Sequence, residues 1–259
     1  MGERTSIWMP LDVPAVLEKN YPQLIHTEEK SLHRSNPTEV NQLYEVGNLY
    51  DWRTNNYAMH LKLLRGNSTK VPELYLIHGE PSTQIYGRAV KVSEHHKDIV
   101  RLEAVLEYGG IYLDLDAMVV KPLDPLLNYE VVMGYEHENG LCNGAIIAVA
   151  WADFLKIRHL EYKSFQDKQW AEHSVHLPAV LARKHKNLIH TEERSFYRPN
   201  WEDNDLRQLY EVGQIYDLKT NNYVVHLWIR KHGIEHNSED IQTWNTTVGH
   251  ISDIFIVVN

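Results

Sequence analysis

The chain has 259 residues, 43% of them apolar and 10% aromatic, enough to bury a substantial core. Its formal charge is −9, with no basic run and no interleaving of Arg with aromatic residues, which argues against nucleic acid as a partner. A lone Cys142 excludes an intrachain disulfide and a multi-thiolate zinc site, and no apolar run approaches the about 18 residues needed to span a bilayer.

The first ten residues lack the apolar core of a signal peptide, so the chain as written reads as soluble or cytoplasmic. Two stretches then repeat one another. Leu24–Glu29 matches Leu188–Glu193, Leu43–Gly47 matches Leu209–Gly213, Thr54–Tyr57 matches Thr220–Tyr223, and His60-Leu61 matches His226-Leu227. One duplicated block near each end is not a solenoid, which needs three or more stacked units. The expected division is therefore an appendage at 1–66, copying the carboxyl-terminal segment, and a main domain at 67–259.

Within that domain, Pro72–Gly79 reads as a short buried strand, and 85–92 as a loop and strand. From Asp98, apolar residues at Ile99, Leu102, Val105 and Leu106 fall at helical spacing, and Gly109-Gly110 supplies the stop. The pattern then switches to period two. Ile111, Leu113, Leu115, Ala117 and Val119 lie on one side of a predicted central strand, and Tyr112, Asp114, Asp116, Met118 and Val120 on the other. Glu130–Tyr135 and Gly144–Ala150 read as further strands, 152–166 and 171–185 as helices, and Leu188–Thr191 as a strand. The tail from Ile234 carries few cues beyond an apolar run at Ile254–Val258. Alternating strands and helices predict a mixed α/β layer architecture.

Two carboxylates on one face of a buried strand need a partner, because a dry ionised Asp costs several kcal/mol unless paired or metal-bound. At about 3.3 Å of rise per residue, Asp114 and Asp116 have Cα atoms roughly 6.6 Å apart, close enough to share one hard cation. The competing reading puts both in a solvated turn at the strand's end, and a bare Asp-x-Asp does not decide between them.

The context is more specific. Arg101-Leu102, six residues, then Gly109-Gly110-Ile111-Tyr112-Leu113-Asp114-Leu115-Asp116, with Asp98 three residues before the Arg, resembles the DXD region of glycosyltransferase family 32 and of the related clostridial glucosylating toxins. Cys142–Ile147, Trp170–Val175, Leu188–His190, Arg198–Trp201 and Asn222–Trp228 resemble later blocks of such enzymes, so the likeness spans roughly residues 72 to 230. It implies a GT-A-type fold: a Rossmann-like mixed sheet flanked by helices, carrying a retaining sugar transfer from a nucleotide-sugar assisted by Mn²⁺ or Mg²⁺. In the family an amino-terminal strand and its loop hold the nucleotide base, but here the first repeat occupies that place. Either residues 1–66 supply a substitute, or the sheet is short of its first βαβ portion and the nucleotide site is incomplete.

By the same resemblance, Asp116 binds the metal and through it the diphosphate, Asp114 meets the donor ribose or a metal-bound water, and His226 is a third metal ligand. Arg101 faces the diphosphate or donor sugar, Asp98 the donor hydroxyls, and Tyr112, Asn143 and Gly144 complete the donor side. Trp170, His173 and Ser174 line the acceptor side. Each has a plainer reading: an i,i+3 ion pair for Asp98 and Arg101, a core tyrosine, a core histidine, a loop-anchoring tryptophan. The function implied is transfer of a hexose from a UDP-linked donor to a glycan or glycolipid. The rival is a catalytically inactive relic serving as a binding or scaffold protein. The resemblance implies the Golgi or secretory lumen, against the lack of a signal or anchor in this chain.

Overall fold

The computed structural model describes residues 83–114, 116–233 and 245–256, with the strand backbones β1 (Ile25–Glu29), β2 (Ala58–Lys62) and β3 (Glu73–His78). A two-residue hairpin, β4 (Gln84–Ile85) and β5 (Arg88–Ala89), leads into helix α1 (Ser93–Tyr108). Then come β6 (Gly110–Leu113), β7 (Ala117–Val119), a 3₁₀ turn at Asp124–Asn128, β8 (Val131–His137) and β9 (Gly140–Ala148). Helix α2 (Asp153–Glu161), a π-type turn at Glu172–His176 and α3 (Leu177–Lys184) follow. The chain continues through β10 (His190–Glu192), α4 (Asp203–Tyr210), α5 (Leu218–Asn221), β11 (Val224–His226), α6 (Ile229–His232) and α7 (Thr247–Ile256).

Among the described residues the main sheet runs β1-β3-β2-β6-β9-β8-β10. It is mixed: β1 pairs with β3, and β8 with β10, in parallel, whereas the joins from β3 through β2, β6 and β9 to β8 are antiparallel. Helices flank it, so the architecture is the α/β layering expected from the alternating pattern. Two of its strands, β1 and β2, come from the leading repeat. None of the described helices is long and apolar enough to cross a membrane.

Strands β6, β8 and β9 are buried on both faces, which is why they read as nearly continuous apolar runs. On one face Tyr112, Met133 and Ile146 pack with Leu102 and Val105 of α1 and Phe154 and Leu155 of α2. On the other, Ile111, Leu113, Val132, Ala145 and Ile147 pack with Phe196, Tyr197 and Leu126. A third cluster joins Leu206 and Leu209 of α4 to Val225, Leu227, Val248 and Ile251.

The long strand expected over Ile111–Val120 is divided. β6 ends at Leu113, and β7 leaves the main sheet to pair antiparallel with β11. The cause is the backbone bonding at Asp114: its N–H donates to Gly144 O at 2.7 Å, and its carbonyl accepts from Ala117 N at 2.9 Å, which turns the chain out of the sheet. The two aspartates thus sit at a turn beyond the strand rather than along its face.

Gly109 ends α1, its N–H bonded to Val105 O at 2.9 Å and its φ at +62°. A Cβ there would lie 2.4 Å from the backbone N of Ala150. Gly109→Ala is expected to destabilise the protein by about 1–3 kcal/mol through the left-handed backbone alone, and further through that clash; urea unfolding measures it.

Candidate active site

Helix α1 delivers Arg101 to the end of β6, where it is buried and its hydrogen bonds are used inward. Nε donates to Lys97 O at 3.2 Å, and Nη1 donates to the carbonyl and Oδ1 of Asn143 at 3.2 and 3.1 Å. The same Nη1 lies 2.9 Å from Asp114 Oδ1. Asn143 in turn donates from Nδ2 to Asp98 Oδ1 at 2.9 Å, and Asp98 lies 3.8 Å from Arg101 Nε. Asp98 and Arg101 are therefore neighbours on one helix face, as their spacing required, but the pair is largely buried rather than exposed. Tyr112 donates from its hydroxyl to Asp114 Oδ1 at 2.7 Å, and its ring lies 5.1 Å from the Arg101 guanidinium carbon.

Burial alone would raise the Asp114 pKa, but the Arg101 charge, with hydrogen bonds from His226 and Tyr112, overrides it and holds the carboxyl well below its usual range. Asp114 is thus a permanent anion at neutral pH. Burial likewise pushes the Tyr112 hydroxyl up, so it stays a donor.

Asp116 is tied to the returning chain. Its carbonyl accepts from Leu227 N at 2.7 Å and its Oδ2 from Ile229 N at 3.2 Å. These bonds and the β7–β11 pairing, which sets His226 opposite Ala117, bring the His226 ring to both carboxylates. Nε2 lies 3.6 Å from Asp114 Oδ2 and 3.4 Å from Asp116 Oδ1. Burial favours neutral imidazole, but Asp116 and Asp114 outweigh it and raise the His226 pKa. Gly144 makes the crowding possible: a Cβ there would lie 2.9 Å from Asp114 Oδ2 and 3.1 Å from His226 Nε2.

Asp114, Asp116 and His226 each offer one ligand atom, all within 4.8 Å of one another. Two carboxylate oxygens and one imidazole nitrogen suit a divalent cation such as Mn²⁺. His226 Nδ1 accepts from Trp228 N at 3.2 Å, so coordination through Nε2 would move a proton to Nδ1 and loosen that contact. The donor set fits a metal on those terms.

Asp98, Arg101, Tyr112, Asp114, Asp116, Asn143, Gly144 and His226 are thus gathered in one place. Trp170, His173 and Ser174 stand apart from them, with their hydrogen bonds and ring contacts among the described residues made elsewhere. Trp170 is 62% exposed, and its carbonyl lies 3.3 Å from His95 Nε2. His173 is buried against Tyr162 and Phe165, with Nε2 3.2 Å from Ser164 Oγ. Ser174 is buried, and its carbonyl accepts from Arg158 Nη2 at 3.4 Å.

Sequence reasoning missed Glu136 and Trp228. Glu136 is 8% exposed on β8, and burial pushes its carboxyl up despite Cys142, His137, His226 and Trp201 nearby. An acid directly after the apolar run Val131–Tyr135 was the available signal. Trp228 takes a left-handed backbone, φ +52°, with its ring 4.0 Å from His226 and its indole N–H donating to Pro199 O at 3.0 Å. No sequence pattern announced that turn.

A helix-borne arginine thus clamps the first Asp of an Asp-x-Asp turn at the end of a mixed α/β sheet, with a returning histidine against both carboxylates. Residues 16–133, just under half of the chain, match the family described as the glycosyltransferase sugar-binding region containing the DXD motif. The match takes in Asp98, Arg101, Tyr112, Asp114 and Asp116 and stops short of Asn143 and His226. The chain is similar to glucan organizing enzyme 1 of Cryptococcus neoformans var. grubii serotype A, 36% identical over 169 residues, which is 61% of this chain and 46% of that protein. It thus spans about half the length of that curated relative. No solved structure matches the chain.

Removing the Arg101 charge strands Asp114 as a largely buried anion. Arg101→Met is expected to cost up to about 3–5 kcal/mol in urea unfolding, and Arg101→Lys to recover only part, having one point charge for several fixed donors.

Proposed function

We propose that this protein is a metal-dependent, retaining glycosyltransferase that moves a hexose from a UDP-linked donor to a glycan or glycolipid acceptor. The observation that carries the reading is the convergence of Asp114, Asp116 and His226 within 4.8 Å, beside a buried arginine. That donor set suits Mn²⁺ or Mg²⁺, and the relative named glucan organizing enzyme favours a polymeric glucose acceptor.

A bound cation would supply positive charge where negative charge builds on the departing nucleoside diphosphate. The protein's own part is to hold the ligands. Asp114 is fixed by Arg101, Tyr112 and the Gly144 carbonyl, Asp116 by two backbone bonds from the returning chain, and His226 by the β7–β11 pairing and the Trp228 ring packed 4.0 Å from its own. Arg101 acts chiefly through Asp114 and Asn143, since its hydrogen bonds among the described residues run to protein acceptors. Asp98, Asn143 and Gly144 form the edge offered to the donor sugar. Asp98 keeps a hydroxyl-accepting carboxylate there, and Gly144 gives close backbone approach.

UDP with Mn²⁺ is expected to stabilise the wild type by about 2.7 kcal/mol at a hundredfold excess over Kd, a Tm rise of roughly 5–10 °C, and to leave Asp116→Ala unmoved. A parallel screen of UDP-Glc, UDP-Gal, UDP-GlcNAc and UDP-GalNAc for Mn²⁺-dependent hydrolysis tests the donor. No stabilisation and no hydrolysis with any of the four would overturn the reading.

A further inference from the structure

The geometry points to a hexose-binding subsite formed by Glu136, His137 and Trp201 beside the aspartate–histidine cluster, taking an uncharged pyranose through its hydroxyls and one ring face. This deepens the transferase reading and rests on it.

Glu136 is the anomaly that motivates it. Its strand neighbours Val131, Val132 and Met133 are fully buried, and it is itself nearly so. Its ion-pair contact among the described residues is His137 Nε2 at 3.5 Å, and no described Lys or Arg pairs with it. Its other neighbours, Cys142 across the β8–β9 ladder and the loop at Asn200-Trp201 bonded to its backbone carbonyl, bring no charge. A buried carboxylate held by weak partners keeps unused acceptor capacity, which hydroxyl groups would fill.

Its place is set by the sheet. In the β8–β9 register Gly134 faces Cys142 and His137 faces Gly140, so Glu136 stands across from the segment that leads into Asn143 and Gly144. Trp201 is fixed from two directions. Asn200, 1% exposed, donates from Nδ2 to Glu136 O at 3.4 Å, while Pro199 O accepts from the Trp228 indole at 3.0 Å. The loop carrying Trp201 is therefore strapped between the Glu136 backbone and the His226–Trp228 turn. Lys231 lies 5.7 Å from the Trp201 ring centre, and the ring itself is half-buried.

A rigid indole beside an acceptor-rich carboxylate suits a pyranose, whose C–H patch covers the ring while adjacent hydroxyls donate to the acid. A diphosphate is unsuited, since Glu136 would repel it. The sugar is either the donor's hexose or the acceptor's terminal residue.

The test compares wild type with Glu136→Gln and Trp201→Phe, following intrinsic fluorescence on titration with UDP, with the UDP-hexoses and with maltotriose or laminaritriose, all in Mn²⁺. Unchanged UDP binding by the variants shows that the nucleotide site stands. A tenfold or larger loss of UDP-hexose affinity with UDP unaffected assigns the subsite to the donor sugar. A similar loss confined to the trisaccharide assigns it to the acceptor. Trisaccharide binding by wild type, lost in both variants, supports the subsite even where UDP fails to bind and the transferase reading falls. The proposal is overturned if the folded variants match wild type for every sugar ligand, or if wild type distinguishes no UDP-hexose from UDP and binds neither trisaccharide.

Discussion

The site depends on one buried ion pair. Arg101 on α1 and Asp114 at the end of β6 are 2.9 Å apart, in surroundings where neither charge would be stable alone. The pair does more than cancel charge. Through Asn143 the guanidinium also fixes Asp98 and the β9 backbone, so helix, central strand and neighbouring strand are locked at the level where the carboxylates sit. An arginine suits that task because its planar fork can satisfy several acceptors at fixed angles, where a lysine would offer a movable point charge.

Much of this was legible in the sequence because it is local. Helical spacing from Ile99 to Leu106, the Gly109-Gly110 stop and the period-two run after it gave α1 and β6 in the right order, and they set Arg101 and the aspartates close together. The end of β6 was not legible. The alternation runs on through Val119, and only Gly144, thirty residues later, supplies the carbonyl that captures the Asp114 N–H. The convergence of His226 on Asp114 and Asp116 depends on the β7–β11 pairing, which joins segments more than 100 residues apart, so no spacing rule could reach it. Trp170, His173 and Ser174 illustrate the reverse limit: a motif block fixes residue types, while tertiary packing decides what they face.

The repeats show the same dominance of context. His26–Glu28 and His190–Glu192 share the sequence His-Thr-Glu, and both form parallel pairings, the first with β3 and the second with β8. His60-Leu61 and His226-Leu227 part company. The first lies in β2, inside the main sheet with His60 in register with Tyr112, whereas His226 ends β11 in a separate pair opposite Ala117. Identical residues are strand formers in both places, and the vacancy available next to each decides the partner.

Charge balance ties the site to its ligands. Asp98, Asp114, Asp116 and Glu136 place four carboxylates around the strand ends, against the Arg101 guanidinium and an imidazole at His226 whose charge the aspartates favour. Arg101 is matched to Asp114 and Asp98, deep on the helix side, so the uncompensated negative charge lies toward Asp116 and Glu136. On the proposed reading, a divalent cation held by Asp114, Asp116 and His226 would offset the charge on the Asp116 side, with the imidazole neutral and its one proton on Nδ1. Glu136 lies on β8 with His137 as its ion-pair contact among the described residues, and on the proposed reading neutral hydroxyl donors would complete its surroundings. On the proposed reading one sheet end would separate two kinds of recognition: a cationic focus for an anionic leaving group, and an acidic edge suited to a sugar.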